Sequence, residues 1–166
     1  MKLICYVLFL LTAHASSAQK LSVDIAGIRN QAQEINGINA SFFYHFTEVF
    51  SAGIEVNRFF KHGSVKNGNK IYSSAWDYDF NIHYYLPLHQ KLYIYPLAGV
   101  SYASEKEYAE ETKTEKHLYA NAGVGLLLNI QKLKPHIEYV SSFSSKAEHF
   151  LIAGITLEIN LKKEKN

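Results

Sequence analysis

Residues 71–86 alternate between two chemistries almost without a break. Tyr72, Ser74, Trp76, Tyr78, Phe80, Ile82, Tyr84 and Leu86 fall on one parity; Ser73, Ala75, Asp77, Asp79, Asn81, His83 and Tyr85 fall on the other. A strand sends successive side chains to opposite faces, so the pattern predicts a strand with one greasy and one wet side. The same alternation recurs along the chain. Leu21, Val23 and Ile25 mark a first strand over 20–28, and Ile38, Ala40, Phe42, Tyr44 and Phe46 a second over 37–46. Phe50, Ala52, Ile54 and Val56 mark a third over 49–60. After the stretch 71–86, further strands are expected over 91–103, 116–130, 135–143 and 147–161.

Polar stretches at 29–36, 61–70 and 104–115 are expected to be loops, and residues 47–48, 87–90 and 131–134 short turns. Alternate short turns and longer loops belong to an up-and-down barrel. Pro96 cannot donate a ladder hydrogen bond and predicts a bulge or a local break in pairing. Gly53, Gly99, Gly123, Gly125 and Gly154 all share the polar parity. A barrel of ~8 strands has an interior just wide enough for side chains to fill. Glycines beside inward Tyr93, Tyr119 or Phe150 make room for those rings, so the polar face is expected to point inward. The fold class expected is all-β: an eight-stranded antiparallel up-and-down β-barrel of the transmembrane type.

Length and composition add limits. A chain of 166 residues is enough for one domain. Residues 1–18 read as a secretory signal peptide: Lys2 is the positive start, 3–12 is greasy, and Ser16, Ser17 and Ala18 are the small residues at a cleavage site. The apolar run is well short of the ~20 residues a spanning helix needs. Cys5, the single cysteine, leaves with the signal, which removes disulfides and cysteine catalysis from a mature barrel domain at 19–161. Residues 162–166 are a charged C-terminal tail. A net charge of +2 gives no case for nucleic acid. Twelve tyrosines and ten phenylalanines against three prolines favour strands.

Alternation alone leaves open which side the grease faces. The rival is a secreted soluble lipocalin-like barrel with a small apolar ligand inside. Bulky apolar rows, glycines on the opposite face, and aromatics near strand ends (Phe46, Tyr72, Tyr84, Tyr102) favour the membrane, where such rings form interfacial girdles.

Two short pieces carry a resemblance. Tyr95-Pro96-Leu97-Ala98-Gly99-Val100-Ser101-Tyr102 is similar to a recurrent strand segment of small outer-membrane β-barrel proteins of Gram-negative bacteria, of the OmpX and opacity-porin type. Gly154-Ile155-Thr156-Leu157-Glu158-Ile159 looks like their closing-strand signal, which the barrel insertion machinery reads. Those proteins often end on an aromatic residue, whereas here Leu161 precedes the charged tail. The resemblance implies a cell outer-membrane location, contact with outer-membrane lipid and lipopolysaccharide, and a non-enzymatic role in envelope structure or surface interaction with an unknown partner.

The inward parity collects Asp24, Glu55, Asp77, Asp79, Asn81, His83, His136, Glu138 and Glu158. Carboxylates in a narrow barrel must be hydrated, hydrogen-bonded, protonated or paired. The preferred reading is a polar network filling the lumen, with no metal, cofactor or catalytic group. The sharper alternative is a divalent metal held by Asp79, His83, His136 and Glu138. A lipid A-modifying enzyme is the remaining class. Ser141, Ser142, Glu148 and His149 are close in sequence, but the register turns Ser142 and Glu148 in and Ser141 and His149 out. The histidine-x-serine-asparagine signature of lipid A deacylases is absent. Residues 105–116 and Lys61, Lys66 and Lys70 read as solvated loops that can meet a surface partner or lipid phosphates.

Overall fold

The computed structural model describes residues 20–66, 69–108, 112–144 and 147–161. The expected signal at 1–18 and tail at 162–166 lie outside these described residues. The strands are β1 (Lys20–Asn30), β2 (Ile35–His45), β3 (Phe50–Lys66), β4 (Asn69–Tyr84), β5 (Leu86–His89), β6 (Leu92–Tyr108), β7 (Thr112–Leu128), β8 (Leu133–Phe143) and β9 (Ala147–Asn160). Chain neighbours pair antiparallel, apart from β4 and β5. The wall closes where β1 meets β9 and β4 meets β6. With β5 continuing the line of β4, the result is a closed eight-stranded antiparallel barrel.

The break between β4 and β5 has a local cause. Pairing of β4 with β6 ends at His83↔Leu97 and resumes as β5 at Leu86↔Ile94. Pro96 lies in the gap and has no N–H to give. The Tyr85 N–H turns to the other side and donates to the Val49 carbonyl at 2.8 Å. On its β7 side Pro96 stays in register opposite Val124.

Three expectations about loops are corrected. Residues 29–36 are not a loop: Arg29 and Asn36 pair in the ladder, and only a tight turn joins β1 to β2. The Asn30 side-chain oxygen accepts the N–H groups of Ala32 and Gln33, each at 3.0 Å, and Glu34 takes a φ of 56°. The polar stretches 61–70 and 104–115 are mostly strand. β3 and β4 pair out to Lys66↔Asn69, and β6 and β7 out to Tyr108↔Thr112. Charge marks exposure to water, and a hairpin standing in water keeps its ladder when its residues still alternate. Most of the expected turn at 87–90 is β5.

The greasy rows face outward. Ile25 is 72% exposed and Leu118 70%, the reverse of what a soluble fold allows for such residues. The outward row of β7 runs Leu118, Ala120, Ala122, Val124, Leu126, Leu128, a span that matches the ~9–11 residues of a transmembrane strand. Closure leaves no unpaired edge at membrane depth, which hydrocarbon requires. Aromatic pairs sit at the short-turn end: Tyr44 with Phe46 at 5.0 Å and Phe50 with Tyr84 at 5.1 Å. Trp76, Tyr78 and Tyr102 lie toward the other end, on the neighbouring strands β4 and β6. The wall is built for lipid, and the soluble lipocalin-like alternative, which needs the apolar rows turned inward around a ligand, is overturned by their outward exposure.

Candidate functional site

The inward parity stacks into storeys. At mid-depth β2, β3, β4, β7 and β8 supply a continuous chain of hydrogen bonds. Ser142 donates to Asn121 at 2.8 Å, and the Asn121 amide reaches Asn81 at 3.5 Å. Asn81 donates to Glu55 Oε1 at 2.6 Å, and Asn39 donates to Glu55 Oε2 at 3.0 Å. Asn39 also donates to Asn57 at 2.7 Å, and Asn57 to Asp79 at 2.8 Å. Gly99 of β6 lies between Asn81 and Asn121 in the ladder. A Cβ there would collide with the Asn81 side chain and the Phe80 carbonyl, so glycine is what lets the two amides meet across β6.

The next storey toward the short-turn end is built on Tyr95. Its hydroxyl donates to Glu138 Oε1 at 2.6 Å, and its ring lies over Gly125, where a Cβ would strike it. Tyr95 packs at a tilt against Tyr85 at 5.0 Å and His83 at 5.1 Å, and His83 packs on Phe43 at 4.2 Å. Beside them Thr156 donates to Asp24 at 3.1 Å, and His136 Nδ1 lies 3.3 Å from the same carboxylate. At the floor Glu158 is paired with Lys20 at 3.1 Å and with Lys134, beside a cavity of about 90 Å³. Asp77 lies at the opposite mouth, on a cavity also lined by Glu105, Tyr119 and Glu148.

The nine residues singled out from the sequence are therefore all inward, but they do not form one cluster. Asp79, Asn81 and Glu55 share the middle chain. Asp24, His136, Glu138 and His83 share the Tyr95 storey. Asp77 stands above and Glu158 below. The proposed ligands Asp79, His83, His136 and Glu138 do not converge: Asp79 is held by Asn57, whereas His83 lies in the aromatic stack. Among the described residues no three His, Cys, Asp or Glu side chains meet closely enough to hold a metal ion. Sequence reasoning missed the partners Asn39, Asn57, Asn121, Ser142, Tyr95 and Thr156. Inward parity was their only signal. It also missed Lys20 and Lys134 as the inward cations that offset Glu158.

The serine and histidine of the enzyme reading do touch. Ser141 Oγ lies 2.9 Å from His149 Nδ1 as an outward cross-strand pair, with His149 stacked on Tyr139 at 5.8 Å. Glu148 points into the lumen, where Asn30 donates to it at 2.8 Å. Among the described residues no acid is bonded to the histidine, and the arrangement there is a pair without the third member of a triad.

Above the girdle the outward rows change character. The Arg58 guanidinium lies 5.0 Å above the Trp76 ring and donates to the Ala75 carbonyl at 3.1 Å. Lys61 Nζ lies 4.8 Å from the Tyr72 ring centre and 4.7 Å from that of Tyr108, and Lys70 Nζ is 5.5 Å from Tyr72. The neighbouring Ser74 side chain lowers the pKa of the Tyr108 hydroxyl below the ordinary tyrosine value, with nearby Lys106, Arg58 and Lys61 acting the same way.

No protein-family model matches the chain, and no curated protein sequence matches it. Solved structures do. The N-terminal β-barrel domain of Pseudomonas aeruginosa OprF superposes with a TM-score of 0.70 at 15% identity, covering 86% of this chain and 100% of that one. Neisserial surface protein A gives 0.65 at 9% identity, over 87% and 98%. Ail, the attachment invasion locus protein of Yersinia pestis, gives 0.61 at 13%, over 86% and 100%; it has also been solved with the heparin analogue sucrose octasulfate. The fold is that of the small outer-membrane barrels. That fold and the greasy wall together place the chain in the outer membrane.

Proposed function

We propose that this protein is a non-enzymatic outer-membrane barrel with a side-chain-filled lumen, serving envelope structure or surface interaction. The observation that carries the reading is the chain of hydrogen bonds from Ser142 to Asp79 across the lumen, backed by the Tyr95 storey. The cavities lined by these two storeys are about 20 Å³ each, room for about one water molecule. Such a lumen passes no hydrated solute; water-filled channels belong to barrels of ~16 strands. Its functional surface is then the outer wall and the long hairpins. Lipid and lipopolysaccharide are the partners that the wall implies. The insertion machinery is the assembly partner, through β9 as closing strand.

Planar-bilayer recording of the refolded full chain tests this reading. The expected result is no steady conductance of porin size. A stable, open, weakly selective channel would sink the filled lumen. The Ser141–His149 contact keeps a lipid A-modifying enzyme as the second reading. Ser141→Ala and His149→Ala are expected to leave lipid A unchanged in mass, and a deletion strain should match the parent. A mass shift restored only by the parent protein would favour the enzyme.

A further inference from the structure

Pairing register sorts the outward residues of β3, β4, β6 and β7 into rungs. Toward the long hairpins the rungs read Ile54–Phe80–Val100–Ala120, then Val56–Tyr78–Tyr102–Leu118, then Arg58–Trp76–Ser104–Lys116. A bulge in β3 between Phe59 and His62 follows. It adds one residue and re-aims Lys61, which lands on the rings of Tyr72 and Tyr108 in place of the lumen. The next rung is Ser74–Lys106–Thr114 beside Lys61, and the last is Gly63–Tyr72–Tyr108–Thr112, with Lys70 against Tyr72. The wall thus passes from aliphatic to aromatic to cationic in successive rungs.

The two parities of these hairpins carry opposite charge. Inward rungs hold Asp77, Glu105, Glu107 and Glu115, with Lys113. Outward rungs hold Arg58, Lys61, Lys70, Lys106 and Lys116, and among the described residues no outward carboxylate. None of these five cations has a carboxylate within ion-pair distance among the described residues. Elsewhere on the rim Arg29 has Glu34 at 3.8 Å. Three of the five cations rest on aromatic faces, which orients them at the height where the girdle ends.

We propose that this face is a docking surface for the phosphorylated headgroup of an outer-leaflet glycolipid, lipopolysaccharide, whose lipid A phosphates meet Arg58, Lys61, Lys106 and Lys116. This inference rests on the outer-membrane reading above. The occupant follows from position and charge. Acyl chains pack on Phe80, Val100 and Ala120, so the groups that reach the next rungs belong to the same lipid's headgroup. A phosphate there finds Arg58 and Lys61 already desolvated on one side by the rings. Lys70 lies one step further out, toward the sugars.

The test uses the full chain folded in phosphatidylcholine nanodiscs, with bisphosphoryl lipid A, monophosphoryl lipid A and sucrose octasulfate as probes. The variant is Lys61→Gln/Lys106→Gln/Lys116→Gln; the control is inward Lys113→Gln. Each lysine is expected to contribute about fivefold in affinity, so the triple variant binds lipid A roughly a hundredfold more weakly. The control binds as the parent does, added salt weakens binding, and monophosphoryl lipid A binds less well. Heat-modified gel mobility verifies that each variant is folded. Unchanged affinity in the folded triple variant, or an equal loss in Lys113→Gln, overturns the proposal. Displacement of lipid A by sucrose octasulfate from the triple variant and the parent alike also overturns it, assigning these lysines no part in lipid binding. If the parent itself shows no heat-modified band in the outer-membrane fraction, the membrane reading falls and this proposal with it.

Discussion

Glu158 and Glu55 stand on inward rows of the same barrel and are held in opposite ways. Glu158, at the floor, lies between the ammonium groups of Lys20 and Lys134. Glu55, at mid-depth, takes its hydrogen bonds from the amides of Asn39 and Asn81. The difference follows from distance to water. Beside the floor cavity a lysine keeps part of its hydration, so pairing it with a carboxylate costs little. At mid-depth the ammonium would itself have to be stripped of water, and its attraction to the carboxylate need not repay that cost. Short amides satisfy the carboxylate without adding a second buried charge, and they fit a lumen narrow enough to need glycines.

Breaking the middle storey should therefore cost more than breaking the floor. The largest effect is expected for Gly99→Val. Its side chain meets the Phe80 carbonyl and the Asn81 backbone, which cannot move without opening the β4–β6 seam, and it displaces the Asn81 amide from its hydrogen bonds. We expect no heat-modified band after refolding, against a parent that migrates in two forms. Next is Glu55→Ala, which strands the amides of Asn39 and Asn81 in the lumen. Urea unfolding from lipid vesicles should fall by about 2–3 kcal/mol, with Glu55→Gln recovering part of the loss. Lys134→Ala at the floor leaves Glu158 with Lys20 and should cost about 1 kcal/mol, diminished further in high salt. Equal losses for Glu55→Ala and Lys134→Ala would erase the distinction between the two storeys. The smallest effect is expected for Lys113→Gln on the exposed hairpin, within about 0.5 kcal/mol of the parent in the same unfolding assay.

Much of this fold was legible because alternation is a local property. The parity of Ile25, Phe80 or Leu118 can be read from immediate neighbours, and with it the direction of every strand's greasy face. The bulk of those rows, the glycines sharing the other parity and the aromatics near strand ends together pointed that face outward. The outer hairpins were misread for an equally physical reason. Glu105, Lys106 and Glu107 look like a loop because charge is a proxy for solvent. Backbone pairing with Glu115, Thr114 and Lys113 is indifferent to that charge. The nine lumen residues were found by parity, whereas their grouping into storeys was not.

Sequence by itself determined the alternating segments that cross the wall and the two faces of each, since both depend on a period of two along one segment. Tertiary structure alone decided who meets whom inside and outside. Tyr95 reaches Glu138 across 43 positions and Thr156 reaches Asp24 across 132. The bulge that swings Lys61 onto Tyr72 and Tyr108 is likewise a matter of register between strands. Register depends on the closure of the whole wall, and no single strand carries it.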